Sequence, residues 1–597
     1  MLLGPLIMTR IPSPYTQRPA PFHPGPFRLC CLFVLALLST AVAADTAITP
    51  AKLVADYVAA WKAFYPSQAF AYGARDSAAA FEDYRGERVD EWLQLNARIT
   101  TASESLLSHP GLTLDERTDL LVLNAQSVDE QAKWREDEPL ARRPQWYAEQ
   151  VSQALTHLLV RDQLSPPERE AALLTRLRGV ARLCHLGVER LEGGDALRTQ
   201  GALRTLAGAR AFYEGGLGSL LETWPETPAT AERGPAITEA VAAIGALEAH
   251  LESLLPELSS DASIGAERYA AKLSRRSSGQ VTPGQLRDDA LAEMHRVRIL
   301  MIEESRRWQQ SLDEASKASA DLGGPELLAL ALEAMEADRA DRQAAFLAQF
   351  ESLTWASERF VVDHAIATVP RPTTLYIALS PAHFSGAAVG GVYPSGPFDP
   401  QADTLFYVPS VPDDAPAETR KGFYRSFNDH FNAMIISHEM FPGHYLQYKV
   451  AVSEAPALRS LFSNGAYIEG WGSFVEELML DAGWADNAPL TRLAHLRKRL
   501  ENATRAYVSV QVHTAGWGRE QVLVFAREEG LLAPQFAENL WQRVVNSPLQ
   551  ITDYYVGWAQ FKRLYADRGD GPLRDWVDAV LRAGPVPMKL LPPLLGD

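Results

Sequence analysis

Apolar residues recur at spacings of three and four along most of the chain between about residues 50 and 350. Leu121, Ala125 and Val128 are one example. This spacing places apolar side chains on one face of a helix, so it predicts a long series of amphipathic helices. Breaks between helices are indicated at 165–168 and 227–230, where a hydroxyl residue is followed by proline.

A second helical series begins at Thr282, where threonine, proline and glutamine form a typical helix start, and it continues to about residue 350. We therefore expect a boundary near 275–282. It would separate an N-terminal helical lobe at 45–280 from a C-terminal lobe at 281–597.

Segment 365–412 is different, because it is rich in glycine, proline and aromatic residues. Short apolar runs at 374–379 and 404–408 are typical of two strands or extended segments. The glycine-rich stretch 385–391 lacks the lysine and the spacing of a phosphate-binding loop, so a turn or a wall of a site is the better interpretation. The predicted fold is mainly α, a large two-lobed helical body with a small β or extended segment near 370–410.

Charge and composition narrow the possible partners. With 47% apolar residues the chain has an ordinary globular composition, and its net charge is −17. Nucleic-acid binding depends largely on cationic contacts to phosphates, so no nucleic-acid partner is expected.

The N-terminus has the pattern of a signal peptide. Arginines precede an apolar run at 29–38, and Ala41-Val42-Ala43 fits a cleavage site, so residues 1–44 are expected to be removed. The run is short for a membrane span. We expect a periplasmic or secreted protein with no stable membrane insertion after cleavage, and with Cys184 as its single cysteine.

Candidate chemistry is concentrated in one short stretch. His438, Glu439 and His444 are followed 25 residues later by Glu469. Two imidazoles, an adjacent carboxylate and a carboxylate from a later helix are the groups of a catalytic zinc site. On a straight helix His444 would lie about 120° round from His438. Because Pro442 cannot continue the helix, a break or wide turn at 440–443 is predicted to bring the two histidines together.

A helix predicted at 466–482 supplies the carboxylate. Glu469, Gly472, Ser473 and Glu476 share one face of it. Small residues between two carboxylates allow a second helix to approach closely. Glu469 is then the expected third ligand and Glu476 a group that holds a ligand histidine, with the reverse assignment as the alternative.

Further candidates follow towards the C-terminus. Arg505, Ser509 and His513 share one face of a helix predicted at about 490–515, where a cation and an imidazole could bind a substrate carboxylate and a developing oxyanion. Tyr554 and Tyr555 offer phenols that could donate to the same oxyanion.

Four ordered blocks of sequence resemble the bacterial family catalogued as domain of unknown function 885. They are His438-Glu439-x-x-Pro442-Gly443-His444-x-x-Gln447, Glu469-Gly470-Trp471, His513-x-x-Gly516-Trp517-x-Arg519-Glu520, and Pro548-x-Gln550 with Tyr554 and Gly557. The family looks like mainly helical zinc metallopeptidases. The resemblance implies His438, His444 and Glu469 as zinc ligands and Glu439 as general base. It also implies that Arg505, His513 and Tyr554 line the site.

The chain departs from the family pattern at three positions. Tyr445 stands where a second histidine usually follows Pro-Gly-His, Phe474 where tyrosine is common, and Ser509 where an aspartate often precedes His513. Ser509 cannot supply a negative charge, whereas the expected ligands and base are all present.

The expected function is an exported zinc-dependent hydrolase whose partner is a peptide substrate. Zinc suits the nitrogen and oxygen donors best, and manganese or cobalt could occupy the same donors. Two alternatives remain open: a metal-dependent amidase acting on non-peptide amides, and a catalytically silent protein that binds metal or peptide.

Overall fold

The structure is a computed structural model that describes residues 48–161, 163–313, 322–380 and 391–596. The expected signal segment 1–44 lies outside the described residues, as does the glycine-rich stretch except for Gly391. The molecule is 72% helical with one small sheet, so the expectation of a mainly α fold is confirmed. Among the described residues, no helix is long and apolar enough to cross a membrane.

The α-helices before residue 280 are α1 (Pro50–Phe64), α2 (Pro66–Ala71), α3 (Arg88–Leu107), α4 (Leu114–Glu136), α5 (Pro139–Arg142), α6 (Pro144–Gln153), α7 (Thr156–Val160), α8 (Pro166–Arg190), α9 (Ala196–Ala211), α10 (Leu217–Leu221), α11 (Arg233–Leu254) and α12 (Ala266–Arg276). Their starts follow local sequence. Ser165 caps α8 together with Glu168, and the break expected at 227–230 lies between α10 and α11.

The α-helices after residue 280 are α13 (Pro283–Ser311), α14 (Gly324–Ala337), α15 (Gln343–Asp363), α16 (Ala417–Ser426), α17 (Asp429–Glu439), α18 (His444–Glu454), α19 (Ala457–Leu461), α20 (Gly465–Asp481), α21 (Pro489–Ala515), α22 (Arg519–Glu528), α23 (Pro534–Asn546), α24 (Asp553–Asp567), α25 (Leu573–Ala583) and α26 (Leu591–Leu594). The start expected at Thr282 is confirmed, because Thr282 and Gln285 form a capping box on α13.

One continuous cluster of buried apolar side chains extends from Leu53 in α1 to Leu591 in α26. Helix α13 packs along α21, and the ring of Phe462 lies 5.6 Å from the rings of both Tyr57 and Trp61. Elements from before and after residue 280 therefore share one core. The division into two lobes at that residue stays a prediction.

The sheet has three strands, β1 (Leu375–Leu379), β2 (Gly391–Tyr393) and β3 (Thr404–Val408). Strand β3 is central and pairs with β1 in parallel and with β2 antiparallel. The two extended segments expected from the sequence are β1 and β3, and β2 was not expected. Next to β1, the Thr374 hydroxyl accepts from Lys449 Nζ at 2.8 Å, which ties the sheet to α18.

Helix α20 lies at the centre of the C-terminal half and packs against α17 and along α24. Its contact with α24 is close. A Cβ atom on Gly470 would lie 2.4 Å from the backbone of Gly557, so neither glycine can carry a side chain without moving the helices apart.

Candidate metal centre

The turn at 440–443 separates α17 from α18 and brings His444 beside His438. A Cβ on Gly443 would lie 1.9 Å from the carbonyl oxygen of His438, so only glycine fits there. The Trp471 indole donates to the Pro442 carbonyl at 2.9 Å and fixes the turn against α20. The predicted break in the helix is confirmed, and His444 becomes the first residue of α18.

Three side chains converge beside this turn. Glu469 Oε2 lies 3.6 Å from His438 Nε2 and 3.6 Å from His444 Nε2. The two imidazole rings are 4.6 Å apart at an interplanar angle of 79°. One donor atom from each side chain falls within 4.8 Å of the others, which makes the trio a candidate metal site.

The other ring nitrogen of each histidine has its own partner. His438 Nδ1 lies 2.8 Å from Glu476 Oε1, and His444 Nδ1 lies 3.2 Å from Gln447 Oε1. An Nδ1–H donated to these acceptors leaves the Nε2 lone pairs directed at the cluster, as metal-binding histidines require. Glu476 therefore holds a histidine, and Glu469 is the carboxylate that faces both Nε2 atoms.

Two buried side chains of α21, Lys498 and His495, hold the Glu476 carboxylate in place. Lys498 Nζ contacts Glu476 Oε1 and lies 3.1 Å from His438 Nδ1, and His495 Nδ1 lies 3.1 Å from Glu476 Oε2. Gly472 makes room for this arrangement, because a Cβ there would lie 2.6 Å from the His438 ring. The sequence pattern indicated Glu476, but it did not indicate Lys498 and His495.

The electrostatics of the cluster favour a positive charge among the ligands. Burial acts to raise the pKa of Glu469, but the two histidines outweigh it and hold that pKa well below its ordinary value. Burial and Lys498 act to lower the pKa of His438, yet its hydrogen bonds to Glu469 and Glu476 raise it to about 9. A site that stabilises a proton on an imidazole between two carboxylates also stabilises a metal cation.

The donor set fits a zinc ion by type and by spacing. Donors arranged tetrahedrally at about 2.0–2.2 Å from zinc lie about 3.3–3.6 Å apart, close to the two 3.6 Å separations that involve Glu469. Two imidazoles and one carboxylate are also the three protein ligands of one known class of catalytic zinc site.

Glu439 is the last residue of α17 and is half-buried next to His438. Its side chain forms no hydrogen bond or ion pair with any other residue that the structure describes. Burial raises the pKa of the nearby Tyr448 phenol, and the negative charges of Glu469 and Glu439 add to that rise. It is therefore available to a water molecule or a substrate at the cluster.

Tyr554 lies beside the His438 ring of the cluster, and Arg505 lies beside Tyr554. The Tyr554 ring stacks 6.4 Å from the His438 ring at 19°, and the Arg505 guanidinium lies 5.3 Å from the Tyr554 ring centre. Burial and the negative charge of Glu469 raise the pKa of Tyr554 to about 12. The phenol stays protonated at neutral pH and can donate a hydrogen bond.

His513 has a different place from the one expected. The backbone N–H of Ile264 donates to its Nδ1 at 3.3 Å, and its Nε2 donates to the Val544 carbonyl at 3.1 Å. Its ring also stacks on Tyr269. Both nitrogens are thus occupied by the backbone, and the expected oxyanion role of His513 is corrected to a structural one.

The three departures from the family pattern also have structural explanations. The Tyr445 hydroxyl accepts the Thr374 N–H at 3.1 Å beside the sheet, and Phe474 packs among the rings of Trp471 and Phe561. Ser509 donates to the Pro548 carbonyl at 2.6 Å and also bonds the Tyr269 hydroxyl. None of the three belongs to the candidate metal cluster.

Two more side chains near the cluster, Tyr448 and Arg543, were not indicated by the sequence. Tyr448 follows His444 by one helical turn, and its ring lies 5.9 Å from the His444 ring. Arg543 in α23 lies 5.8 Å from the Tyr554 ring centre. The spacing of four residues after His444 was the signal that could have indicated Tyr448, whereas nothing local to α23 marks Arg543.

Fold and site together define a mainly helical protein with a His-His-Glu cluster held between α17, α18 and α20. The chain belongs to the family of bacterial proteins of unknown function named DUF885, whose family model matches residues 66–595. No curated protein matches the chain.

Two solved structures have a similar fold. One is a protein described as a lipoprotein of unknown function from Shewanella oneidensis, with 19% identity, a TM-score of 0.76, and coverage of 92% of this chain and 100% of its own. The other, described as a lipoprotein from Colwellia psychrerythraea, has 18% identity, a TM-score of 0.71, and coverage of 92% and 99%. At such identities the likeness concerns the fold.

Proposed function

We propose that this protein is a zinc-dependent hydrolase, a peptidase that cleaves peptides outside the cytoplasm. The observation that carries the proposal is the convergence of His438, His444 and Glu469 next to an unengaged Glu439. Export is supported by the signal pattern at 1–44 and by the lipoprotein descriptions of the two structural neighbours.

In this proposal His438, His444 and Glu469 hold the zinc ion. When bound there, zinc would activate a water molecule and polarise the scissile carbonyl. Glu439 accepts a proton from that water and passes it to the leaving amine. Tyr554, protonated because its pKa is about 12, donates a hydrogen bond to the carbonyl oxygen as negative charge develops on it.

Residues behind the ligands keep this geometry in place. Glu476 and Gln447 orient the two imidazoles through Nδ1, and Lys498 balances the charge of Glu476. The same centre would serve any carbonyl, so an amidase acting on non-peptide amides is the alternative. A screen of peptides against small amides separates the two.

The direct test of this mechanism is Glu439→Gln in zinc-loaded protein. We expect bound zinc to be unchanged and turnover of peptides to fall by at least about 10²-fold, because the base is lost while every ligand remains. Glu454→Gln is the control, since Glu454 is an exposed carboxylate at the end of α18 paired with Arg582. Retained turnover in the metal-loaded Glu439 variant would contradict the assignment of the base.

A silent binding protein is the second alternative, and peptide turnover by the wild type distinguishes it. Wild-type protein that holds zinc and binds peptides without cleaving them would favour that alternative over a hydrolase.

A further inference from the structure

Arg543 places a guanidinium beside the candidate metal centre. Its Nη2 donates to Gln550 Oε1 at 2.9 Å, and Gln550 Nε2 lies 3.5 Å from Glu469 Oε1 and 3.4 Å from the Tyr554 hydroxyl. One amide group therefore spans the gap between this cation and an expected zinc ligand.

Arg543 differs from the neighbouring arginines, whose charges are balanced by ion pairs with carboxylates. Arg505, the other guanidinium over Tyr554, pairs with Glu501 one turn away, and Arg276 pairs with Asp553. Within the described part of the chain no carboxylate forms an ion pair with Arg543, and its side chain is half-buried. A half-buried cation without an anionic partner favours the binding of an anionic group.

We propose that Arg543 binds the C-terminal carboxylate of the peptide substrate and that the protein is therefore a carboxypeptidase. This inference rests on the proposed hydrolase function. A guanidinium donates two parallel hydrogen bonds to a carboxylate, which makes arginine the usual residue for recognising that group.

Distance supports cleavage of the last peptide bond. The path from Arg543 Nη2 to Glu469 Oε1 runs through two hydrogen bonds and the side-chain amide of Gln550. These two atoms therefore lie within about 9 Å of each other. A peptide residue spans about 3.5 Å, while a hydrogen bond adds about 2.9 Å and a metal–oxygen contact about 2.1 Å. One C-terminal residue is therefore long enough to connect the guanidinium with a carbonyl at the cluster.

Recognition of a free N-terminus has less support in this chain. A substrate amine needs an anionic partner, and the described carboxylates near the cluster are already engaged. Glu501 pairs with Arg505, Asp553 pairs with Arg276, and Glu439 has the proposed proton transfer. The reaction consumes one water. The C–N bond breaks, the water oxygen joins the acyl carbon, and protons pass to the leaving amine, which departs as a free amino acid.

Binding tests the inference separately from catalysis. Calorimetry compares acetyl-Ala-Ala with its C-terminal amide on zinc-loaded Glu439→Gln protein, which holds the site without turnover. We expect the free acid to bind about 10- to 100-fold more tightly. Adding Arg543→Gln should remove that difference in affinity by weakening the binding of the free acid alone. Adding Arg543→Lys should retain part of the difference. Adding Arg519→Gln, the loss of an exposed arginine paired with Glu538, should leave it unchanged.

Equal binding of the two probes, binding of neither, or equal weakening of both by Arg543→Gln would overturn the inference. Turnover is then measured on wild-type protein, where alanine should be released from the acid and not from the amide. An acid that binds selectively through Arg543 but is not cleaved would refute the hydrolase function while leaving the carboxylate site in place.

Discussion

Two residues of the turn after α17, Pro442 and Gly443, bring the side chains of the candidate metal centre together. Gly443 has a negative φ of −72°, and it leaves the space that the carbonyl oxygen of His438 occupies. Pro442 ends the regular hydrogen bonding of α17, and its carbonyl accepts from Trp471. His438 and His444 are six positions apart, a spacing that a straight helix would not place on one face. The turn nevertheless brings their two imidazole rings together.

Tyr554 is the residue we expect to act on the developing negative charge. Tyr554→Phe removes the hydroxyl and keeps the ring that stacks beside His438. The expected result is a fall in kcat of about 10²- to 10³-fold with little change in KM, because the lost hydrogen bond strengthens only as charge develops. Steady-state kinetics on zinc-loaded protein measure it. A variant with raised KM and unchanged kcat would instead assign Tyr554 to substrate binding.

Residue patterns grouped the candidate ligands better than the residues around them. His438, Glu439, His444 and Glu469 lie within 32 positions, so local spacing was enough to group them. Helical spacing also placed Arg505 and His513 on one face, but it does not say which element packs there. Tyr269 of α12 covers the His513 end, whereas Tyr554 covers the Arg505 end.

At the scale of elements, α20 is the helix on which the site depends. It presents Glu469 and Glu476 to the histidines, and Gly472 between them lets the His438 ring lie against its backbone. On another face Gly470 meets Gly557 of α24. Close approach on two sides explains why small residues interrupt an otherwise apolar helix.

Gly472→Ala tests this close contact. The new methyl group would lie 2.6–2.8 Å from three atoms of the His438 ring, so the ring must move. We expect zinc content to fall well below that of wild type while the far-ultraviolet circular dichroism stays helical. Ser473→Ala is the matched control, because the buried Ser473 hydroxyl has no partner among described groups. Full zinc occupancy in the Gly472 variant would show that the helix can retreat without affecting the ligand.

Helices were predictable from the sequence because caps and periodicity are local. Thr282, for example, forms the expected capping box, and α20 and α21 begin within one residue of their predicted starts. Strand β2 was not predictable, since it has three residues and exists only through its pairing with β3. Pairing between distant segments leaves no periodic trace in so short a strand.

In the whole molecule, Arg459 and His513 each join the C-terminal half of the chain to a segment of the N-terminal half. Arg459 of α19 pairs with Asp115 and Asp119 of α4 at 2.7 Å each. His513 of α21 is bonded to the backbone at Ile264 and Val544. These contacts connect segments far apart in sequence, which is why local patterns did not indicate them.

His513 should make stability depend on pH. Burial lowers its pKa to about 4 from an ordinary value of about 6.5. Between these two pH values His513 binds a proton in the unfolded chain but not in the folded chain. The contribution of neutral His513 to the free energy of unfolding is therefore fully present above about pH 6.5 and is lost as pH falls towards 4. The expected loss is about 1.4 kcal/mol per pH unit.

Urea unfolding between pH 7.5 and 4.5, with chelator in every sample, measures this dependence. His513→Gln should be less stable at pH 7.5 and should show a slope that is smaller by about one proton. Parallel curves for the two proteins would mean that His513 does not titrate differently in the folded state.

We propose that His438, His444 and Glu469 form a zinc site, and the metal content of the purified mature protein is the decisive measurement. Elemental mass spectrometry after dialysis against zinc should give about one zinc per chain for wild type. It should give the same for Asp481→Asn, an exposed carboxylate on the same helix as Glu469. Glu469→Gln should lose the metal. Wild-type protein without zinc, or a Glu469 variant with full occupancy, would show that these three side chains do not form a zinc site.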